Sequence, residues 1–202
     1  MNKVYFVRKW SDKGKDITWS GTPNGLLKAL QEKINKSVIT IDLDYSFFNR
    51  VVLKSVYVLF KLFSIDGCDV PERCIEGHIV SRTLRNSDKG PIIAFAECET
   101  AKIEDTYLFI DCSVDYAFRC HMNKVDFAKY VPFGKQRNHS LLAIRNKKAK
   151  EFYNECRGIF TMGQWLADDL SNTTGIPSNK IHCVGGGYKR LSKSYRFIEE
   201  NR

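Results

Sequence analysis

Six short segments rich in β-branched and aromatic residues alternate along the chain with segments in which apolar residues recur every three or four positions. The short segments predict strands and the others predict helices. Several strand segments are continuously apolar, which indicates burial on both faces, as in a parallel sheet. We therefore predict an α/β fold, a doubly wound parallel sheet with helices on both faces, whose strands cover residues 3–9, 37–43, 91–96, 107–112, 158–161 and 180–184.

The predicted helices fill the intervals between these strands. The first begins at Thr22, which is a suitable N-cap, and Pro23 takes the first helical position, where its fixed φ favours the helix. This helix joins the first two strands in a strand–helix–strand unit that opens a parallel sheet. The other predicted helices cover residues 47–65, 72–85, 140–156 and 165–170.

The predicted helix over residues 47–65 is strongly apolar, and its polar side chains fall on one stripe. The stripe is either the solvated side of a helix packed on the sheet or a cationic face turned toward anionic lipid. A second group of basic and amide residues, at positions 145–148, extends the predicted positive surface. The stripe consists of Arg50, Lys54, Tyr57 and Lys61.

The composition limits the class of protein. Of the 202 residues, 43% are hydrophobic, which is enough to bury a substantial core. Lys and Arg number 32 against 23 Asp and Glu, and the net charge of +9 favours nucleotide phosphates, phospholipid headgroups or nucleic acid as partners. No RNA-binding signature accompanies the basic residues, so nucleic acid is not the expected partner.

Cysteine usage and segment length predict the compartment. The seven cysteines form no Cys-x-x-Cys pair, and their odd number argues against a disulfide framework or a structural zinc site. No segment reaches the roughly 18 uncharged apolar residues of a membrane span, and the apolar run at residues 4–7 is too short for a signal peptide. We expect a cytoplasmic protein, either soluble or peripheral on the inner face of a membrane.

Ligands of doubly wound sheets bind beyond the carboxyl ends of the strands. The segment from Gly21 to Gly25 opens a helix after a strand, so its backbone N–H groups favour phosphate or carboxylate, although an ordinary capped turn explains the same residues. Its spacing is not G-x-G-x-x-G, so NAD and FAD are not expected. Trp19 either stacks on a sugar or base, or covers the apolar core.

Two further positions lie at predicted strand ends. Asp111 closes a buried strand, where a carboxylate either binds substrate hydroxyls and acts as a base, or caps the next helix and pairs with a cation. Gly187, in a run of three glycines after the last strand, either admits a ligand close to the backbone or forms a flexible exit. The loops at residues 10–25, 111–120, 161–164 and 185–189 are the candidate ligand-binding segments.

Three segments together resemble family-four glycosyltransferases. They are TWSGTPNGLLKAL at 18–30, YLFIDCSVDYAF at 107–118, and GIFTMGQWLADDL followed by TGIPSNKIHCVGGGY between residues 158 and 188. The chain is similar to the amino-terminal, acceptor-side half of these enzymes, which is one of the two Rossmann-like domains of the GT-B fold. The resemblance implies that residues 1–190 form this domain and that residues 191–202 begin the linker to a donor-binding second domain.

The resemblance also implies roles for single residues. In the family the first βα loop lies near the donor phosphates, a role that falls on Gly21, Thr22 and Gly25. The carboxyl end of the fourth strand lines the acceptor pocket, which makes Asp111 the candidate catalytic residue.

The implied reaction transfers a sugar, with retention at the anomeric carbon, from a nucleotide-diphosphate sugar to a hydroxyl of a glycan, lipid-linked or small acceptor. Helix N-termini and basic residues would stabilise the leaving phosphate, so neither a cofactor nor a metal is expected. The E-x7-E pair of the family's second domain does not occur in these 202 residues, so we expect the chain alone to be inactive. The alternative is a stand-alone, non-catalytic Rossmann-like module that docks a partner subunit carrying the donor site.

Overall fold

The protein folds around one parallel β-sheet. The computed structural model describes residues 3–9, 22–34, 37–63, 69–85, 87, 90–95, 97, 103–123 and 139–185. All six predicted strands are confirmed, and they pair in the order β2-β1-β3-β4-β5-β6, every pair parallel. The strands are β1 (Lys3–Arg8), β2 (Ser37–Asp42), β3 (Ile92–Ala94), β4 (Thr106–Ile110), β5 (Gly158–Thr161) and β6 (Ile181–Cys183). The predicted α/β, Rossmann-like parallel architecture is therefore confirmed.

Helices connect most of the strands, and the five predicted helices are present with ends shifted by a few residues. They and one further helix are α1 (Thr22–Lys33), α2 (Phe47–Leu62), α3 (Val70–Leu84), α4 (Val114–Met122), α5 (His139–Glu155) and α6 (Gln164–Asp169). A π-helical turn (Leu170–Thr174) continues α6, and short 3-10 turns precede β4 and β6.

Helix α4 lies where the sequence predicted a loop over residues 111–120, and that prediction is wrong beyond Ser113. The Ser113 hydroxyl accepts a hydrogen bond from the Tyr116 backbone N–H at 3.0 Å and so caps the helix. Asp115 then turns inward and becomes buried, because four donors surround its carboxylate. The helix is stabilised by this tertiary contact, which its mixed polar sequence does not reveal.

Side chains alternate between the two faces of the sheet. On one face, Tyr5 and Val7 of β1 pack with Val80 and Leu84 of α3, and Leu108 packs among residues of α5 and α6. On the other face, Phe6 packs with Leu27 of α1 and with the stacked rings of Phe95 and Phe109, which lie 4.9 Å apart. Because β1 is paired on both edges and covered on both faces, it forms the centre of the core.

Two sequence-based interpretations of surface are wrong. Arg145 and Asn146 do not extend the basic surface, because the fold buries them on the inner side of α5. There they donate hydrogen bonds to the carboxylates of Glu97 and Asp115 respectively. Helix α2 is not an apolar helix packed on the sheet, since Leu53 is its one buried residue among the 16. Its connection to the rest of the fold runs chiefly through α3.

The predicted interdomain linker, residues 191–202, lies outside the described residues. None of the helices in the described ranges is long and apolar enough to cross a bilayer.

Candidate functional site

The direction of the crossovers reverses at β1. The chain moves from β1 outward to β2 on one side, and β3 returns to the other edge of β1. In open α/β sheets the crevice outside the carboxyl ends of the strands at such a reversal is the usual ligand position. Here that crevice lies beyond Arg8 of β1 and Ala94 of β3, with Lys9 and Glu97 just past the strand ends. We call this region, with the adjoining end of β4, the carboxyl edge.

The structure places three of the six sequence-predicted site residues, two of them in the first turn of α1 and the third at the end of β4. Thr22 is the half-buried first residue of α1, and Gly25 lies in the first turn, exposed, with no atom within 4 Å of where a Cβ would be. Asp111 follows β4 at the carboxyl edge. The other three, Gly21, Trp19 and Gly187, lie outside the described residues.

Among the described carboxylates of the carboxyl edge, Asp111 is the exposed one. Partial desolvation against the end of β4 raises its pKa, the nearby carboxylate of Glu97 raises it further, and backbone N–H groups of Asp111 and Cys112 oppose the rise. Within the described residues Asp111 makes no ion pair. A raised pKa makes it a stronger base and hydrogen-bond acceptor than an ordinary aspartate.

Glu97, beside it, is held in a different environment. Its carboxylate accepts hydrogen bonds from the Tyr153 hydroxyl at 2.7 Å and from the Arg145 guanidinium at 3.1 Å. Burial by itself would raise the pKa of Glu97, but Arg145, Arg73 and the Tyr153 hydrogen bond together lower it below its ordinary value. Glu97 is therefore a fixed, buried negative charge, whereas Asp111 is exposed to solvent.

Lys9 connects the end of β1 to α3. Its ammonium donates to the Tyr45 hydroxyl at 2.7 Å and lies 3.3 Å from carboxylate oxygens of both Glu72 and Glu76. Tyr45 in turn donates to Glu76, whose other oxygen accepts from Arg73 at 2.9 Å. These contacts fix the position of the chain as it leaves β1.

Arg8 is the second cation at this strand end, and it is 5% exposed. It shares a face of β1 with Phe6, the face on which α1 packs, and its guanidinium lies 5.4 Å from the centre of the Phe95 ring. Burial lowers the pKa of Arg8 to about 10, so it keeps its positive charge at neutral pH. A buried cation thus lies on the α1 side of the carboxyl edge.

The thiol next to Asp111 is not prepared for nucleophilic chemistry. Burial, assisted by the negative charges of Asp111 and Glu97, raises the pKa of Cys112 to about 12. At neutral pH it is a neutral thiol, and thiolate chemistry at this edge is not supported. Among the described residues, no group of three or more His, Cys, Asp or Glu side chains is close enough to hold a metal ion.

Comparison with known proteins adds no further information on this site. No family model, no curated protein and no solved structure matches the chain. The assignment of chemistry to the carboxyl edge therefore depends on the residues themselves.

Sequence reasoning missed Arg8, Lys9, Glu97 and Arg145. For Arg8 and Lys9 a signal was present, because charged residues at the end of a buried strand lie at the ligand-binding edge of a parallel sheet. Glu97 and Arg145 are 48 residues apart, and no local pattern pairs them. Their meeting depends on how α5 packs against β4 and β5.

Proposed function

We propose that this chain is the acceptor-binding half of a nucleotide-sugar-dependent, retaining glycosyltransferase, and that the carboxyl edge is the acceptor surface. The observation that carries the proposal is Asp111, an exposed carboxylate with a raised pKa at the end of β4, free of ion pairs within the described residues. Such a carboxylate suits the binding of a sugar hydroxyl, whose proton it accepts in a hydrogen bond.

The fixed groups around Asp111 support the same function. Glu97 forms an ion pair with Arg145, so Asp111 is the carboxylate left for the ligand. Arg8 supplies a buried cation on the side where α1 begins. A cation and a helix N-terminus stabilise the negative charge of a departing nucleotide diphosphate. Donor binding would be shared with a second domain, in cis or in trans, so we expect no turnover by the chain alone. Because the cation and the helix N-terminus would stabilise the leaving phosphate, no metal is expected to be needed.

The donor side is tested by titrating the chain with UDP-glucose and UDP in ligand-observed NMR. Gly25→Asp places a negative charge in the first turn of α1, where it stabilises the helix and repels a phosphate. Ala29→Asp places the same charge on the same helix one turn later and is the matched control. We expect Gly25→Asp to weaken binding by about tenfold and Ala29→Asp to weaken it much less.

The acceptor side is tested with a panel of mono- and disaccharides. Asp111→Asn should abolish the saturation-transfer signal, and Asp168→Asn, an exposed aspartate of α6, should leave it intact. Absence of binding to both ligand classes by the unaltered chain contradicts the proposal. That result would favour the alternative, a non-catalytic module that docks a partner subunit.

A further inference from the structure

Helix α2 exposes an apolar face to solvent. Eight apolar side chains of α2 and the residue after it are between 36% and 85% exposed, with Phe47 at 85% and both Leu62 and Phe63 at 74%. We call this surface the α2 apolar face. It consists of Phe47, Phe48, Val51, Val52, Val58, Leu59, Leu62 and Phe63.

These side chains form one continuous surface. At 100° per residue they occupy an arc of about 160°, centred opposite the buried Leu53. Ser55 is the one polar residue within the arc, and its hydroxyl donates a hydrogen bond to the Val51 carbonyl oxygen at 3.0 Å. By residue size the exposed area is on the order of 900 Å², whereas the largest apolar patch of a typical monomer is about 300–600 Å².

Cations follow one border of this arc. Arg50, Lys54 and Lys61 are exposed and lie on adjoining positions of the helix surface, beside Phe47 and Val58. The 16 residues of α2 include no aspartate or glutamate. An apolar arc bordered by positive charge, without negative charge, complements a surface that is apolar inside and anionic at its boundary.

The inner side of α2 determines which way the arc points. The Tyr57 hydroxyl donates to the Glu72 carboxylate of α3 at 2.9 Å, and the Ser46 hydroxyl accepts from the Asn49 backbone N–H to start the helix. Together with the burial of Leu53, these contacts hold α2 against α3 with the α2 apolar face outward.

We propose that α2 lies in the headgroup region of an anionic membrane, with the α2 apolar face inserted among the acyl chains and Arg50, Lys54 and Lys61 at the phosphates. The occupant is a lipid surface, because charge complementarity along the helix favours anionic phosphates over a neutral protein groove. The proposal does not depend on sugar transfer, since membrane binding is measured without any nucleotide sugar. If both hold, the carboxyl edge works beside a lipid surface.

The test is flotation of the full chain with vesicles of phosphatidylcholine alone or with about one-third phosphatidylglycerol. We expect binding to the anionic vesicles, weak binding to the neutral ones, and partial release in ~0.5 M salt. Phe48→Gln/Leu62→Gln should reduce the partition coefficient at least about tenfold. The matched control is Met122→Gln/Ile144→Gln, which removes two apolar side chains that are 44% and 48% exposed elsewhere.

The charge contribution has its own pair of variants. Lys54→Glu/Lys61→Glu and Lys28→Glu/Lys33→Glu change the net charge equally and replace exposed lysines on α2 and α1 respectively. Only the α2 pair should reduce binding strongly, by at least about tenfold. The proposal would be overturned by equal loss of binding in both pairs, by binding that survives the α2 substitutions, or by no vesicle binding at all. It would also be overturned if the wild-type chain were a dimer without lipid and the α2 variants converted it to a monomer.

Discussion

The hydroxyl of Tyr153 offers the sharpest test of how the carboxyl edge is held together. It donates to Glu97 at 2.7 Å and accepts from the Val114 backbone N–H at 3.0 Å, and the whole residue is 0% exposed. Tyr153→Phe removes this single oxygen and keeps the packed ring. One change therefore leaves a buried carboxylate short of a donor and a buried N–H without an acceptor.

The magnitude follows from these two losses. A hydrogen bond to a charged group contributes about 1.5–3 kcal/mol, and an unsatisfied buried N–H costs about 1–3 kcal/mol. The two overlap in part, so we expect Tyr153→Phe to lower the free energy of unfolding by about 3 kcal/mol. For a chain of this length the midpoint of thermal unfolding should fall by about 6–12 °C.

Urea unfolding followed by circular dichroism measures this loss. The midpoint concentration should fall while the slope stays the same, because the folded state remains equally compact. Tyr107→Phe is the matched control, since Tyr107 is half-buried on β4 and its hydroxyl has no hydrogen bond within the described residues. Its effect should stay within about 0.5 kcal/mol. Equal effects of the two substitutions would refute the reasoning. A double-mutant cycle that combines Tyr153→Phe with Glu97→Gln should show a coupling free energy above about 1 kcal/mol.

Two further predictions concern acid stability and glycine conformation. The pKa values of Glu97 and Asp115 are lowered in the fold, where nearby cations and hydrogen-bond donors outweigh burial. The stability that these two carboxylates contribute is therefore complete above the ordinary carboxyl pKa and is lost as pH falls through the lowered pKa values. We expect the urea concentration at the unfolding midpoint to decrease once the pH is below about 4, and to decrease less steeply in Glu97→Gln. A Cβ would meet no atom within 4 Å at either Gly25 or Gly175, but Gly175 has a φ of +82° and Gly25 is helical. Gly25→Ala should raise the free energy of unfolding by about 1 kcal/mol, and Gly175→Ala should lower it by about as much. Urea titrations of the two variants should therefore show changes in the free energy of unfolding of opposite sign.

Most of the fold was predictable because its four inner strands, β1, β3, β4 and β5, are buried on both faces. The apolar runs at β1 and β4 identify these segments as strands from the local sequence alone. The segments between successive strands are long enough for crossover connections of a parallel sheet. Helix α4 was not predictable in the same way, because what stabilises it is the buried Asp115, whose donors come from other elements.

The candidate site was predictable only in part, for a related physical reason. Asp111 follows directly from strand position, since every residue after a parallel strand lies at one edge. The burial of Arg145 does not follow, because the same basic residue on a helix is solvated unless a carboxylate such as Glu97 meets it. The exposure of α2 was also hidden, because periodicity identifies an apolar face without indicating whether protein covers it.

The order of the strands has a consequence for synthesis on the ribosome. Once β1 and β2 have paired, β3 adds to the open edge of β1, and β4, β5 and β6 each add to the strand made just before. The sheet can therefore grow in the order in which the chain emerges, without waiting for a distant segment. β2 remains the edge strand on one side throughout, while the edge on the other side passes from β1 to β3 and onward as each strand is added. The newest strand therefore exposes an unpaired edge until the next one pairs with it, and this aggregation-prone edge moves along the chain with translation.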